Sequence, residues 1–139
     1  LAMVDAGIIG NKFDAFTKEY IAEGGACALP ITDRTVRDAA DIIKEFGGIP
    51  IFAHPGYSGA LIFSEHDFIR YADDGIMGIE CHHMRHTLSI SEQCEKIADR
   101  LNLLKTGGSD CHGEYYNPVK MGSVEVPDEW LLRLKSARS

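Results

Sequence analysis

The feature that most constrains the fold is a pair of predicted strands, each followed closely by residues of the kind that bind metals. Residues 49–53 are continuously apolar and run directly into His54, and residues 103–107 are followed by Asp110 and His112. A continuous apolar run of this length is typical of a parallel strand covered on both faces. Loops after the carboxyl ends of parallel strands are where ligands and metals collect. The sequence therefore predicts a ligand site at one edge of a parallel sheet.

Each of these motifs has a simpler interpretation when it is taken alone. A single histidine after a strand is commonly an ordinary loop residue, and an Asp-x-His triplet is commonly a turn capped by the aspartate. Here both motifs follow a strand and both are bounded by glycine or proline, and this combination favours a metal site. Carboxylate and imidazole donors suit Zn, Mn or Fe better than a soft thiolate site would.

The rest of the chain alternates between predicted helices and strands. Capping residues and apolar periodicity predict helices that begin near Asn11, Thr35, Ser64, Ser89 and Pro127. Further strands are predicted at residues 76–81 and, as a short fourth strand, at 122–126. The apolar stripe of the second helix is predicted to consist of Val36, Ala39, Ala40, Ile43 and Phe46. Strands joined by crossover helices indicate an α/β fold with a parallel sheet and right-handed connections.

Composition excludes some partners and leaves others open. The chain has 139 residues, of which 45% are hydrophobic and 25% charged, and this is ordinary for one modest globular domain. The formal net charge of −7 argues against nucleic acid or an anionic membrane as a partner, because both require a basic surface. A phosphorylated substrate stays possible, since bound metals reverse the local field. Four cysteines without C-x-x-C spacing predict free thiols and a cytoplasmic location.

Three segments resemble the last three signature blocks of a known family. They read GGIPIFAHPG at 47–56, GIECHHMRHT at 78–87 and GGSDCHG at 107–113. In this order they resemble the polymerase and histidinol phosphatase (PHP) superfamily of metal-dependent phosphoesterases. The subgroup that they resemble hydrolyses small phosphorylated compounds such as nucleoside bisphosphates, and residues 16–30 are similar to its helical insertion. We therefore predict an insertion segment at 1–34 and C-terminal βα units of a PHP domain at 35–139.

The resemblance implies a fold, a set of metal ligands and a cofactor. It implies the parallel-sheet part of a distorted (β/α)7 barrel whose N-terminal strands are missing. His54, Asp110 and His112 match the family's metal-ligand positions, and Asp110 and His112 are the implied catalytic pair. In that role Asp110 would bridge the metals or orient the attacking water. The implied cofactors are divalent metal ions (Mn, Zn, Fe or Mg), up to three in the complete domain.

The block at 78–87 is predicted to face the substrate. Alternation along a strand would send Glu80 and His82 to one side of the sheet and Cys81 and His83 to the other.

In the subgroup that the chain resembles, an imidazole of this block lies near the substrate phosphate. His83 and His86 are the best matches to this imidazole. Arg85 could instead bind the phosphate through the parallel N–H donors of its charged guanidinium. The alternative is a surface cluster of histidines on a loop. Tyr115, Tyr116 and Lys120 could line a nucleobase or phosphate pocket, although a covering role at the barrel mouth is preferred.

The opening His-x-His motif of the family has no counterpart in this chain, nor do the ligands that follow it. We therefore expect either a homodimer, a second polypeptide that supplies the missing N-terminal half, or a longer natural protein, and we prefer the last. The predicted function is metal-dependent hydrolysis of a small phosphomonoester or nucleotide phosphate by a metal-activated water. This chain would carry only part of the site and be inactive in isolation. The alternative is a non-catalytic fragment or assembly module with a PHP-like fold.

Overall fold

The computed structural model describes residues 1–29, 34–113 and 120–137, and the chain falls into two compact units. The first unit is Leu1–Asp33 and the second is Arg34–Ser139. The second unit contains the sheet and all the strand-end residues of the predicted site. No helix in the described ranges is both long and apolar enough to cross a membrane.

The first unit contains short turns in place of the predicted helix at Asn11. It has helix α1 (Ala2–Asp5) and one 3₁₀ turn (Asp14–Phe16). The Asn11 amide group donates to Asp14 Oδ1 at 2.8 Å, and the Asn11 main-chain N–H donates to Asp14 Oδ2 at 3.0 Å. None of residues 1–29 is buried. The predicted helix is wrong, because a helix receives most of its stability from packing of its apolar face and here that packing is absent.

The second unit is built on three parallel strands in the order β1 (Ile51–Phe52), β2 (Gly78–His83) and β3 (Leu104–Gly108). This arrangement confirms the α/β fold with a parallel sheet. Strand β1 is shorter than predicted and only half-buried, because among the described residues it pairs with β2 alone. The predicted fourth strand is wrong: Gly122 has a left-handed φ of 81°, and the Glu125 carbonyl accepts from the His82 ring rather than from a neighbouring strand.

A β-bulge at Cys81 breaks the side-chain alternation predicted for β2. Glu80 pairs with Thr106 of β3, but His82 pairs with the next residue, so Cys81 is an extra residue in β2. As a result both Cys81 and His82 face helix α4 (Leu88–Arg100). Glu80 and His83 lie together on the opposite side. The predicted partition of these four residues is wrong, because a bulge restarts the alternation.

Helix α4 packs its apolar face against the sheet. It buries Ile90, Cys94, Ile97 and Ala98. The helix begins earlier than predicted, since Thr87 rather than Ser89 is the N-cap and its hydroxyl accepts from the Ile90 N–H at 3.3 Å. Helices α3 (Glu65–Asp73) and α5 (Asp128–Ser136) complete the core, which they reach through Phe68 and Trp130.

Helix α2 (Val36–Glu45) begins as predicted, and its apolar stripe is only partly covered. Thr35 and Asp38 form the predicted capping box. Of the predicted stripe only Ala40 is buried, and Ile43 and Phe46 are 41% and 82% exposed. The stripe is thus covered at Ala40 and largely exposed toward its C-terminal end.

Candidate functional site

Three adjacent strands end at one place and bring three polar side chains together. His54 follows β1, His83 is the last residue of β2, and Asp110 follows β3. The ring centres of His54 and His83 are 5.4 Å apart. His83 Nε2 lies 3.7 Å from Asp110 Oδ2. The structure thus places His54 and Asp110 at the same edge of the sheet, with His83 between them.

The backbone is strained at two of these three positions. His54 has φ of 33° and Asp110 has φ of 53°, both in the left-handed region that non-glycine residues rarely adopt. The main-chain N–H of His54 donates to Glu80 Oε2 at 2.7 Å, which holds this unusual conformation in place. Strained residues of this kind cluster at functional sites.

The His83 ring is buried and keeps one donor without a partner. Its Nδ1 accepts from the main-chain N–H of Arg85 at 3.2 Å, which assigns the proton of the neutral ring to Nε2. Nε2 makes no hydrogen bond with any described residue. Burial lowers the pKa of His83, and the nearby carboxylate of Glu80 acts in the opposite direction. A buried donor of this kind carries a desolvation penalty, so the structure offers His83 as a neutral donor to a bound ligand.

Both ring nitrogens of His86 form hydrogen bonds within the protein. Its Nδ1 donates to the Cys81 carbonyl at 2.9 Å, and its Nε2 accepts from the Gly56 N–H at 3.0 Å. The ring therefore connects the bulge of β2 to the loop that carries His54. This geometry argues against the predicted phosphate contact, because no ring nitrogen of His86 is left for the phosphate.

Two residues that the sequence analysis did not place in the site belong to it. Glu80 accepts from the main-chain N–H of His54, and one acidic residue in the otherwise apolar segment 76–81 is a signal that could have identified it. The Tyr57 ring lies 5.4 Å from the ring of His54 and 6.0 Å from that of His83. The predicted phosphate ligand Arg85 lies over this ring, with its Cζ 4.4 Å from the ring centre.

The predicted metal ligands have suitable chemistry but form an incomplete set. His112 Nδ1 donates to the Asp110 carbonyl at 2.7 Å, which assigns the lone pair of a neutral ring to Nε2. Imidazole nitrogen and carboxylate oxygen are donors that fit a divalent metal. Within the described ranges, however, no group of three or more His, Cys, Asp or Glu side chains is arranged to hold a metal ion.

Of the three other predicted pocket residues, the structure describes one. Tyr115 and Tyr116 lie outside the described residues, and Lys120 is exposed.

Comparisons with known proteins point to phosphoesterases. No family model matches the chain. A curated protein of Eggerthella lenta, phosphoribosyl 1,2-cyclic phosphate 1,2-diphosphodiesterase, is 37% identical over 99 residues, which are 70% of this chain and 36% of that protein. A solved structure from Bifidobacterium adolescentis, provisionally described as a metal-dependent phosphoesterase, matches with a TM-score of 0.72 and 28% identity. That match covers 99% of this chain and 48% of the other.

A second solved structure shares the fold. It is an amidohydrolase from Chromobacterium violaceum with bound sulfate and no metal, and it matches with a TM-score of 0.65 and 24% identity. The match covers 98% of this chain and 48% of the other. The chain thus spans 36% of the length of the curated relative and about half of each solved chain. The resemblance to metal-dependent phosphoesterases is confirmed.

Proposed function

We propose that this chain, which is similar to the PHP-type metal-dependent phosphoesterases, carries part of the active site of an enzyme that hydrolyses a small phosphomonoester or nucleotide phosphate. The observation that carries the proposal is the meeting of His54, His83 and Asp110 at the ends of three adjacent parallel strands. The Eggerthella lenta relative, which is named as a diphosphodiesterase, supports a phosphate ester as the substrate class.

Each residue of the site has a chemical task in this proposal. His54, Asp110 and His112 would hold divalent metal (Mn, Zn, Fe or Mg), with Asp110 as the anionic ligand. Bound metal of this kind supplies positive charge and lowers the pKa of a coordinated water. The Nε2–H of His83 would donate to a phosphoryl oxygen, and the Arg85 guanidinium would bind a second one.

The partial ligand set fits a site that is completed by residues outside this chain. The relatives named above are two to three times longer than the part matched here. We place those additional ligands in a longer natural protein and expect little phosphatase activity from the 139-residue chain. A cytoplasmic location is also proposed, since the four free thiols suit a reducing compartment.

The proposal is tested in a longer version of the protein by Asp110→Asn, with Asp99→Asn as the matched control. Asp99 lies on α4 beside Lys105, away from the site. Asp110→Asn should lower kcat/KM for a phosphomonoester at least about 100-fold, because it removes the only acidic ligand of the predicted set. Asp99→Asn should stay within about threefold of wild type. An Asp110→Asn enzyme that keeps most of its kcat would remove Asp110 from the mechanism.

A second candidate function is a non-catalytic assembly module. The observation that favours it is that the described residues contain no three-donor metal group. The two candidates separate in the same assay. A longer protein that has no phosphoesterase activity with Mn²⁺, Zn²⁺, Fe²⁺ or Mg²⁺ would favour the module.

A further inference from the structure

A cation–π contact between Tyr57 and Arg85 joins the loop after β1 to the loop after β2. The Cζ atom of Arg85 lies 4.4 Å from the centre of the Tyr57 ring, which is a cation–π distance. Tyr57 comes from the turn that begins at His54, since its main-chain N–H donates to the His54 carbonyl at 3.0 Å. The Tyr57 ring also lies 6.0 Å from the ring of His83. The Tyr57 ring therefore neighbours the His83 ring, whose buried Nε2–H has no hydrogen-bond partner among the described residues.

Stacking leaves the hydrogen-bonding edge of this guanidinium available for an anion. Arg37, Arg70 and Arg100 each lie within 3.4 Å of a carboxylate. Arg85, like Arg34 and Arg133, makes no ion pair with any residue that the structure describes, but Arg85 is the one of these three that stacks on a ring of the site. A guanidinium that is covered on its face keeps its N–H donors in the plane, where they match an oxyanion. The main-chain N–H of Arg85 also fixes the His83 proton on Nε2.

We propose that Tyr57 is a positioning residue whose ring holds the Arg85 guanidinium in place as an oxyanion-binding group beside Nε2 of His83. The inference rests on the proposed function, because the phosphoryl oxygens of the substrate are what the two donors would bind. A long arginine side chain loses rotamer freedom when it binds an anion, and the ring reduces that loss by ordering the side chain beforehand. The Tyr57 hydroxyl makes no hydrogen bond with the described residues, so the ring rather than the hydroxyl carries the role.

The test uses inorganic phosphate as the probe and the full 139-residue chain as the protein. Binding is followed by the NMR signals of the His83 ring in wild type and in Tyr57→Phe, Tyr57→Leu, Arg85→Ala and the Tyr57→Leu/Arg85→Ala double variant. An exposed cation–π contact predicts a roughly two- to fivefold weaker Kd for Tyr57→Leu. Tyr57→Phe should match wild type, because it keeps the ring. Arg85→Ala should weaken binding further.

The double variant decides between positioning and a direct contact. If Tyr57 acts through Arg85, then Tyr57→Leu has no further effect once Arg85 is alanine. A weakening that persists in the Arg85→Ala background, or equal losses in Tyr57→Phe and Tyr57→Leu, would overturn the inference. Absence of phosphate binding by the wild-type chain would overturn it as well. The proposed function is decided separately, by the activity of the longer protein with Asp110→Asn.

Discussion

Helices α2 and α4 begin from the same kind of local signal and end in different environments. Each is capped by a threonine, Thr35 or Thr87, whose hydroxyl accepts from a main-chain N–H three residues later. Each also carries an apolar stripe. The residues that α4 buries against the sheet are Ile90, Cys94, Ile97 and Ala98. In α2 only Ala40 is buried, Ile43 is partly exposed, and Phe46, which follows the helix, is largely exposed.

The difference separates what a local sequence determines from what the rest of the fold determines. Capping residues and apolar spacing specify where a helix begins and which face is apolar. Whether that face is covered depends on which other elements pack against it. The site draws on both parts of the chain. His54 follows β1, the strand after α2, whereas His83 ends β2 and Asp110 follows β3, the strands that α4 contacts.

The largest expected effect is on the free energy of unfolding, when one isoleucine from each helix is replaced. Ile97 on α4 is 6% exposed and Ile43 on α2 is 41% exposed. Ile97→Ala should lower the free energy of unfolding by about 2–4 kcal/mol, because it leaves a cavity in a packed core. Ile43→Ala should lower it by less than about 1 kcal/mol. Urea denaturation of both variants measures the difference, and equal losses would contradict the contrast between the helices.

Thiol reactivity provides a second comparison, between α4 and the first unit. Burial raises the pKa of Cys94 to about 11, whereas Cys27 is exposed. Because the thiolate is the reactive form, alkylation at pH 8 should modify Cys94 at least about 100-fold more slowly than Cys27. Mass spectrometry of the native chain over time measures both rates. In urea the two rates should become similar, and similar rates in the native chain would mean that the α4 face opens readily.

The two N-caps should have similar effects despite the different coverage of their helices. Thr35→Ala and Thr87→Ala each remove a hydroxyl that accepts from the first helical turn. Each substitution should therefore lower the free energy of unfolding by about 1 kcal/mol. Thr35→Ser and Thr87→Ser serve as controls, since serine keeps the hydroxyl. A loss confined to Thr87→Ala would show that α2 does not unfold together with the sheet.

The smallest expected effect is a pH dependence that the cap of α2 should show and the cap of α4 should not. The Asp38 carboxylate accepts from the Thr35 N–H and hydroxyl, each at 2.8 Å. These hydrogen bonds, the backbone one foremost, lower the pKa of Asp38 from its ordinary value. A carboxyl with a lowered pKa contributes stability above its ordinary pKa and loses it as the pH falls through the lowered value. As the pH is lowered below about 4, the free energy of unfolding should therefore decrease less steeply for Asp38→Asn than for the wild type. If wild type and Asp38→Asn lose stability in parallel as the pH falls, the Asp38 carboxylate does not stabilise the cap.

The helix starts of α2 and α3 could be predicted because a capping box is a local interaction. Thr35 with Asp38 and Ser64 with Asp67 both form the boxes that the sequence indicates. The sequence predicts the start of α4 at Ser89, although Thr87 is the N-cap, because two neighbouring hydroxyl residues offer the same local signal.

The bulge at Cys81 could not be predicted from periodicity. A period of two residues has no feature that marks where one extra residue is inserted, and the insertion moves His83 to the side of Glu80. The contact between the Glu80 carboxylate and the His54 N–H joins residues 26 positions apart. Only the register of the sheet brings them together.

The location of the site could be predicted from strand order, but its ligand set could not. Residues after the carboxyl ends of adjacent parallel strands share an edge, and this alone brings His54 and Asp110 to one place. A metal group requires three or more donors aimed at one point. That arrangement depends on loop conformations, such as the left-handed φ values of His54 and Asp110, which the sequence does not reveal.

The most direct test of the central claim is a Mn²⁺ titration of the 139-residue chain followed by paramagnetic broadening of its amide NMR signals. If the strand ends carry the metal ligands, then the signals of His54, His83 and Asp110 should broaden first, and Asp110→Asn should abolish this preference. The acidic face of α2, which carries Asp41, is the internal control. Broadening that is strongest on α2 and is unchanged by Asp110→Asn would contradict the account.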